Sequence, residues 1–208
     1  MIDPRRLLSH SGVYSGFRQL VSGRDSGGRL AREFLRIAPG ERVLDIGCGP
    51  GDILATLPEG IDYFGFDNNP AYIETARARF GKRGTFEVRS VSPEAMDEIA
   101  AFDVVIAIGV VHHLTDQEAR TLFAGAAKAL KPDGRLVTFD GAFVKGQNPI
   151  ARLLLKLDRG RHVRSPEAYV ALAKPDFESV EPRIVHDLLA VPYTHIIMEA
   201  RRPVVTTP

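Results

Sequence analysis

The sequence is poor in cysteine, and this scarcity excludes several kinds of site. Its 208 residues include a single cysteine, Cys48. The chain therefore has no internal disulfide and no metal site built from several cysteines. Radical chemistry that depends on a cysteine-held iron–sulfur cluster is excluded for the same reason.

The sequence also lacks a long apolar run and a strong charge of either sign. No uninterrupted apolar stretch approaches the roughly 20 residues that a membrane-spanning helix needs, so we expect no membrane span. Residues 1–8 lack the apolar core of a signal peptide, and a cytoplasmic location is therefore expected. The formal net charge of +1 gives no overall reason to expect a nucleic-acid partner.

The most informative stretch is an apolar run that breaks into alternating glycines. Residues 43–51 read Val-Leu-Asp-Ile-Gly-Cys-Gly-Pro-Gly, which places glycines at Gly47, Gly49 and Gly51. Apolar residues at helical spacing follow. A buried strand, a glycine turn and a helix form the layout in which a backbone approaches a nucleotide closely, because glycine has no Cβ.

The acidic residues around these glycines narrow the choice of nucleotide. Asp67 ends the next apolar run, 22 residues after Asp45, where an acid can accept hydrogen bonds from two ribose hydroxyls. A dinucleotide fingerprint would place its third glycine at position 52, where this chain has Asp52. Because no basic residue of the loop offsets that carboxylate, a pyrophosphate is disfavoured. Asp45 and Asp52 instead suit a cofactor with an ammonium and a sulfonium group.

Residues 43–51 resemble the first motif of the class I S-adenosylmethionine-dependent methyltransferases, which runs hydrophobic-Leu-Asp-hydrophobic-Gly-x-Gly-x-Gly. The resemblance implies an α/β fold with a seven-stranded doubly wound, Rossmann-like sheet, the last strand antiparallel and helices on both faces. It implies S-adenosyl-L-methionine as cofactor and S-adenosyl-L-homocysteine as product. Asp45 would organise the glycine loop or bind the methionine ammonium group, and Asp67 would hold the ribose.

The resemblance also implies cofactor contacts at the ends of the later strands. The candidate cofactor-binding residues are Asp45, Gly47, Cys48, Gly49, Gly51, Asp67, Asn68, Ser90, Val91, Ile108 and Gly109. The family usually has an acid after the third strand that accepts from the adenine amino group. This chain has Ser90 there, whose hydroxyl can still form that hydrogen bond or can serve only in a turn. Glu94 and Asp97 are the nearby alternatives.

Two adjacent histidines follow the fourth predicted strand. Because ligands bind at the carboxyl ends of parallel strands, His113 and His112 are candidates for a general base, with His113 as first choice. A structural role near the sheet end is the alternative. Adjacent residues do not easily chelate one ion, so no metal is expected. The segment lacks the Asn/Asp-Pro-Pro-aromatic tetrapeptide of family members that methylate bases or glutamine, which disfavours those acceptors.

Two regions contain candidate substrate contacts. The resemblance implies an N-terminal lid over the cofactor, and residues 158–164 form a basic loop in an insertion of the kind that carries specificity in the family. The candidates are Tyr14, Arg18 and Arg24 in the lid, and Arg161 and Arg164 in the loop. An arginine at either place would bind a carboxylate or phosphate. Solvated arginines and a core tyrosine are the alternatives.

Periodicity and turn residues predict alternating strands and helices. The predicted strands are residues 43–46, 63–66, 86–91, 101–108, 135–140, 179–186 and 191–201. The predicted helices are residues 29–36, 52–57, 71–80, 116–130 and 150–157, and one that follows Ser165.

We therefore expect one domain, residues 1–208, with a helical lid in 1–40, a cofactor-binding half in 41–140, and a substrate-side insertion and last strands in 141–201. The expected activity is methyl transfer to an oxygen, nitrogen or carbon of a small molecule, anionic ones included. We expect a monomer or homodimer without a nucleic-acid partner. A nicotinamide-dependent reductase and a non-catalytic S-adenosylmethionine-binding protein are the alternatives.

Overall fold

The computed structural model describes residues 25–96, 99, 101–157 and 160–204, and these residues are organised around one sheet of seven strands. The strands are β1 (Arg42–Ile46), β2 (Asp62–Asp67), β3 (Gly84–Val88), β4 (Phe102–Ile108), β5 (Leu130–Gly141), β6 (Phe177–Val185) and β7 (His195–Pro203). The lid candidates Tyr14, Arg18 and Arg24 lie outside the described residues. The lid and the division into domain parts therefore stay predictions.

The strand order confirms the predicted doubly wound sheet. It runs β3-β2-β1-β4-β5-β7-β6. The first five strands pair in parallel, and β7 lies antiparallel between β5 and β6. Because β6 therefore runs parallel to β5, the carboxyl ends of β1 to β6 and the start of β7 share one edge of the sheet. This strand edge is where a doubly wound fold binds its ligands.

Helices connect the strands on both faces of the sheet. They are α1 (Ser26–Arg29), α2 (Pro70–Phe80), α3 (Asp116–Ala129), α4 (Pro149–Leu157) and α5 (Pro166–Ala173), with a π-helix at Leu30–Leu35 and 3₁₀ turns at Asp52–Thr56, Glu94–Met96 and Val111–His113. The helix predicted for residues 29–36 is thus mostly π-helical, and the one predicted for 52–57 is a 3₁₀ turn. Among the described helices, none is long and apolar enough to cross a bilayer.

Side-chain caps explain where three helices begin. Asn69 caps α2 by accepting from the backbone N–H of Ala71. Thr115 and Glu118 form a reciprocal capping box at the start of α3. Ser165 caps α5, as predicted. These local signals fix the helix starts close to the strand edge.

Each face of the sheet has its own hydrophobic core. Val105 and Phe123 belong to the core under α3 and α5, whereas Ile106, Leu35 and Ile73 belong to the core under the π-helix and α2. Neighbouring residues of β4 thus enter opposite cores, because side chains alternate along a strand. Burial on both faces agrees with the continuous apolar sequence that predicted a central parallel strand.

The boundaries of the last strands differ from the prediction. β5 begins at Leu130 and includes the predicted turn at 131–134, because Leu130 pairs with Phe102 of β4 before a shift in register. β6 and β7 pair from Phe177 and Pro203 onward, which moves both strands relative to their predicted bounds. These pairings depend on partners far away in sequence, which a local pattern does not contain.

Candidate functional site

The Asp67 carboxylate stands at the carboxyl end of β2 and is fixed by neighbouring backbone groups. The N–H of Gly49 donates to Asp67 Oδ2 at 3.0 Å, and the N–H of Asn69 donates to Asp67 Oδ1 at 2.8 Å. Each carboxylate oxygen can accept more than one hydrogen bond. The two contacts therefore orient the group and leave acceptor capacity for the hydroxyls of a ligand.

The glycine loop after β1 leaves open space at one position and is tightly packed at another. Gly47 has a φ of +70°, and a Cβ there would lie 2.6 Å from Val110 Cγ2. Gly49 has a φ of +53°, yet a Cβ there would meet no protein atom within 4 Å. Gly47 is thus required by contact within the protein, whereas the backbone at Gly49 faces a space that a ligand can approach.

A cavity of about 360 Å³ lies at the strand edge over β1, β2 and β3. We call it the first cavity. Five of the predicted cofactor-binding residues line it, namely Gly47, Asp67, Asn68, Ser90 and Val91. The structure therefore brings together residues from three separate strand ends, as the resemblance implied.

The other predicted cofactor residues do not line the first cavity. These are Asp45, Cys48, Gly49, Gly51, Ile108 and Gly109. Glu94 is also absent from its walls, and Asp97 lies outside the described residues. Ser90 Oγ donates a hydrogen bond to Asn68 Oδ1 at 2.8 Å, which orients the Asn68 amide beside the cavity.

One wall of the first cavity went unnoticed in the sequence patterns. It is formed by Gln117, Thr121 and Leu122 of α3, together with Val110 and Leu114 in the connection from β4. The available signal was topological. A short connection from β4 to the capped start of α3 must begin at the strand edge, so the first turns of α3 must lie near the ligand.

Asp45 lies in the core below the glycine loop. It is 2% exposed, and the Tyr63 hydroxyl donates to Asp45 Oδ2 at 2.6 Å. Burial raises the pKa of Asp45 to about 7, and the hydrogen bond from Tyr63 counteracts part of that rise. The side chain links β1 to β2 beneath the loop. Of its two predicted roles, this placement favours loop organisation over contact with an ammonium group.

Cys48 is also directed into the protein. It is 8% exposed, and its Sγ would lie 2.9 Å from a Cβ placed on Gly65 of β2. Burial, with smaller contributions from the negative charges of Asp45 and Asp67, raises the pKa of the Cys48 thiol well above its usual range. Cys48 therefore packs against the neighbouring strand as an unreactive thiol.

The charge argument built on Asp52 requires a correction. Arg79 of α2 forms an ion pair with Asp52, with 2.6 Å between Arg79 Nη1 and Asp52 Oδ1. The statement that no basic residue offsets Asp52 was true of the loop sequence but wrong for the folded protein. Electrostatic repulsion by Asp52 therefore does not by itself disfavour a pyrophosphate. The remaining argument against a dinucleotide is the absence of a third glycine at position 52.

Asp140 holds His112 where β4 and β5 end. Asp140 Oδ1 lies 2.7 Å from His112 Nδ1 and also accepts the His112 backbone N–H at 3.1 Å. Both residues are buried, whereas His113 is exposed, with its ring centroid 4.2 Å from that of His112. A carboxylate beside Nδ1 favours the tautomer that carries its proton there, which makes Nε2 the proton-accepting nitrogen.

Arg164 is engaged by the protein itself, which corrects its predicted role in substrate binding. Its guanidinium donates to the backbone carbonyls of Val111 and Leu114 and pairs with Asp116 at 2.8 Å. Its side chain is only 9% exposed. Arg164 therefore fastens its loop to the segment after β4. Arg161 is exposed and remains a candidate substrate contact.

A second cavity, of about 300 Å³, lies at the same strand edge beyond β5. Its walls come from the loop after β5, the start of α4 and the connection from β6 to β7. Lys145, Asn148, His186, Tyr193 and Thr194 are among its lining residues. None of these residues was predicted from the sequence as a functional residue.

Three aromatic rings in contact extend from β5 to the second cavity. The ring centroids of Phe139 and His195 are 4.4 Å apart, and those of His195 and Tyr193 are 4.6 Å apart. His186 Nδ1 lies 3.2 Å from Thr194 Oγ1. The direction of β6 explains why these residues lie at the second cavity, but it follows from strand pairing and not from the sequence pattern. Because β6 is parallel, the connection that follows it must lie at the strand edge.

Comparison with known protein families shows what kind of domain has this fold. Residues 43–134 match the family model described as a methyltransferase domain. These residues form a methyltransferase domain. The matched residues extend from β1 into β5 and include the whole of the first cavity.

Similar structures agree with this methyltransferase domain. A solved TehB-like methyltransferase from Corynebacterium glutamicum has a TM-score of 0.65 at 19% identity, over 96% of this chain and 100% of that one. The phosphoethanolamine N-methyltransferase 2 of Haemonchus contortus, solved with S-adenosylhomocysteine, has a TM-score of 0.70 at 17% identity, over 98% of this chain and 61% of that one. At these identities the likeness is one of fold.

A curated relative is similar in sequence as well. The O-methyltransferase cnsE of Penicillium expansum is 36% identical over 123 residues, which cover 55% of this chain and 44% of that enzyme. The chain spans about half the length of the curated relatives it matches. The similarity therefore concerns the methyltransferase domain and not the whole of those proteins.

The first cavity of the methyltransferase domain suits S-adenosyl-L-methionine, the cofactor of this family. Asp67 contributes a fixed carboxylate to its wall, and Val91, Leu114 and Leu122 contribute apolar surface. The wall also includes Asn68, Glu118 and one basic residue, Arg89. This mixture of hydrogen-bonding and apolar groups suits a nucleoside.

Proposed function

We propose that this protein transfers a methyl group from S-adenosyl-L-methionine to a nucleophilic atom of a small molecule. The observation that carries the proposal is the anchored Asp67 carboxylate at the wall of the first cavity, next to Gly47. When bound, the cofactor supplies a methyl group that its sulfonium has already activated. The protein then has to align donor and acceptor and exclude water.

The second cavity is our proposed acceptor site. In the strand order, β4 and β5 lie between the strands under the first cavity and the start of β7 beside the second. Neighbouring strands are about 4.8 Å apart, so the start of β7 lies roughly 14 Å from the end of β1. The cofactor would have to extend from the first cavity over the ends of β1 and β4 to present its methyl group to the second cavity. Lys145 and His186 supply positive charge or hydrogen bonds, which suits an anionic or hydroxylated acceptor.

We propose His112 as the general base, in preference to His113. The support is the contact of 2.7 Å with Asp140, which orients the ring, and the position of His112 after β4, between the two cavities in the strand order. Asp140 acts as a positioning residue that keeps the proton on Nδ1. A base at this place would take the proton from the acceptor as the methyl group arrives.

Oxygen is the acceptor atom that we favour among oxygen, nitrogen and carbon. The support is the name of the relative from Penicillium expansum, an O-methyltransferase. A hydroxyl also needs a base more than an unprotonated amine does, which agrees with the histidine held by Asp140. We further expect a monomer or homodimer in the cytoplasm, which light scattering and fractionation would test.

Calorimetric titration with S-adenosylhomocysteine and with NADH tests the donor site. We expect S-adenosylhomocysteine to bind and NADH not to bind, because a reductase would need the third glycine that Asp52 replaces. Asp67→Ala should weaken S-adenosylhomocysteine binding by about 1–3 kcal/mol, since ribose hydroxyls would lose their acceptor. Asp62→Ala, at the opposite end of β2, is the matched control and should bind normally.

Three outcomes would count against the proposal. Equal affinity of the Asp67 and Asp62 variants would remove the ribose assignment. Tight NADH binding would favour the reductase. Binding of S-adenosylmethionine without release of S-adenosylhomocysteine, over a panel of phenols, carboxylates and amines, would favour the non-catalytic binding protein.

A further inference from the structure

Helix α4 has an apolar face that no described part of the protein covers. Its Ala151 and Leu155 are buried at 1% exposure each, and they attach the helix to the protein. Ile150, Leu153 and Leu157 are 56%, 55% and 49% exposed. Their spacings of three and four place them along one side of the helix. We call these three side chains the α4 ridge.

The concentration of apolar exposure on α4 is unusual for this protein. The described residues include six exposed large hydrophobic side chains, and three of them form the α4 ridge. Single exposed apolar residues need no explanation, but a row on one nine-residue helix indicates a contact with something apolar.

The surroundings of the α4 ridge are basic. Arg152 and Lys156 are exposed on the helix itself, and Lys145 and Arg161 are exposed in the flanking loops. The Arg152 guanidinium carbon also lies 5.2 Å from the centre of the Phe143 ring. In sequence, residues 142–163 hold five basic side chains and one acidic side chain, a net charge of +4, whereas the whole chain has +1. Arg164 is left out of this count because it pairs with Asp116.

This charge argues against a partner within the chain. Residues 1–24 are the longest segment outside the described residues, and they contain four arginines and one aspartate. Two basic segments repel each other, so this segment is a poor partner for α4. The complementary surface has to be apolar and negatively charged, which describes the interface of an anionic lipid bilayer.

We propose that α4 docks this protein on anionic phospholipid surfaces, with the α4 ridge in the acyl region and Arg152 and Lys156 at the lipid phosphates. A nine-residue helix is far shorter than the roughly 20 residues of a span, so the contact is peripheral and reversible. The docking involves the outer side of α4 alone. It therefore does not depend on the proposed methyl transfer.

Cosedimentation of the full-length protein with lipid vesicles tests this proposal. We expect binding to vesicles that mix phosphatidylglycerol with phosphatidylcholine, little binding to phosphatidylcholine alone, and weaker binding as salt is raised. Leu153→Glu should reduce binding at least about 30-fold, because it removes an apolar side chain that would enter the acyl region and adds a charge that anionic lipids repel. Tyr72→Glu, on an exposed apolar residue of α2, is the matched control and should bind normally.

The charge contribution is tested separately. Arg152→Gln with Lys156→Gln should reduce binding by roughly 10- to 30-fold, since each basic residue near the surface contributes about tenfold or less. Lys82→Gln with Lys174→Gln removes the same charge elsewhere and should have little effect.

Three results would overturn the proposal. The first is equal binding to neutral and anionic vesicles, or equal binding by Leu153→Glu and wild type. The second is a concentration-dependent dimer that Leu153→Glu dissociates while vesicle binding is absent, which would make a second copy the partner. The third is a melting temperature that Leu153→Glu lowers by much more than about 2 °C without any vesicle binding, which would mean that the chain covers the ridge itself.

Discussion

The two cavities at the strand edge are built in different ways. Around the first cavity, the contacts of Asp67 are made by backbone N–H groups of a nine-residue motif and the turn after β2. The second cavity is lined by side chains from three separated segments, which include Lys145, His186 and Tyr193. A site made from backbone leaves a compact sequence motif because its geometry needs glycines in order, whereas a site made from distant side chains leaves none.

A substitution at His112, which lies between the two cavities in the strand order, should have the largest effect on methyl transfer. We expect His112→Gln to lower the methyl transfer rate by about 10²–10⁴-fold, or about 3–5 kcal/mol, and to remove the loss of rate on the acid side of the pH profile. S-adenosylhomocysteine release with an acceptor from the screen measures this. His113→Gln is the matched control. Equal loss in both variants would make His112 a structural residue and leave the two cavities without a shared base.

The pH dependence of the protein's stability tests the role of Asp45 beneath the glycine loop. The folded-state pKa of Asp45 is about 7, above its ordinary value of 3.8, so the folded protein holds this proton more tightly than the unfolded chain does. The resulting stability is fully present below about pH 4 and is lost as pH rises towards 7, by up to about 1.4 kcal/mol per pH unit.

Asp45→Asn should remove this part of the pH dependence and make the protein more stable than wild type at pH above about 7. Urea unfolding at several pH values measures it. Asp62→Asn, an exposed acid at the start of the neighbouring strand, should follow wild type. A wild-type slope in the Asp45 variant would show that another group carries the dependence.

Two glycines allow the loop beside the first cavity to be compared with the wall of the second cavity. Gly49 and Gly146 both have positive φ, and a Cβ on either would meet no protein atom within 4 Å. Gly49→Ala and Gly146→Ala should therefore lose similar stability, about 1 kcal/mol, from backbone strain alone. Only Gly49→Ala should weaken S-adenosylhomocysteine binding, by about tenfold, because its Cβ enters the space of the donor. If both variants bind the donor equally well, the open space at Gly49 does not belong to its site.

The smallest effect is expected at Lys145. We expect Lys145→Gln to raise the KM for an anionic acceptor a few-fold, or about 0.2–1 kcal/mol, because an exposed charge is screened by solvent. The affinity for S-adenosylhomocysteine should not change. An effect on donor affinity with none on KM would contradict the division of the edge into donor and acceptor cavities.

The sequence was sufficient to predict the fold and the part of the first cavity that the ends of β1, β2 and β3 form. Strict apolar runs and alternating glycines depend on neighbours along the chain, so residues 43–51 could be interpreted without a structure. Ser90 and Asn68 line the cavity, as their positions near the ends of predicted strands indicated. Asp45 shows the limit of this reasoning. The sequence left two roles open for it, and only its contact with Tyr63 on the next strand favours loop organisation.

The rest of the candidate site could not be predicted, because it depends on contacts between residues that are far apart in sequence. Arg164 looked like a free arginine in a basic loop, but its partners lie about 50 residues earlier, after β4. The charge of Asp52 was misjudged for the same reason, because Arg79 comes from α2. His186 and Tyr193 were missed because the direction of β6 follows only from the pairing of the last two strands.

The buried position of Cys48 has a practical consequence. Because the one native thiol is enclosed and stays protonated, a cysteine introduced on the surface would be the single site that maleimide reagents modify rapidly. A fluorophore attached in place of Leu153 or Tyr193 would then report the polarity of its own surroundings against a silent background. The native chain is thus ready for site-specific spectroscopy without prior removal of thiols.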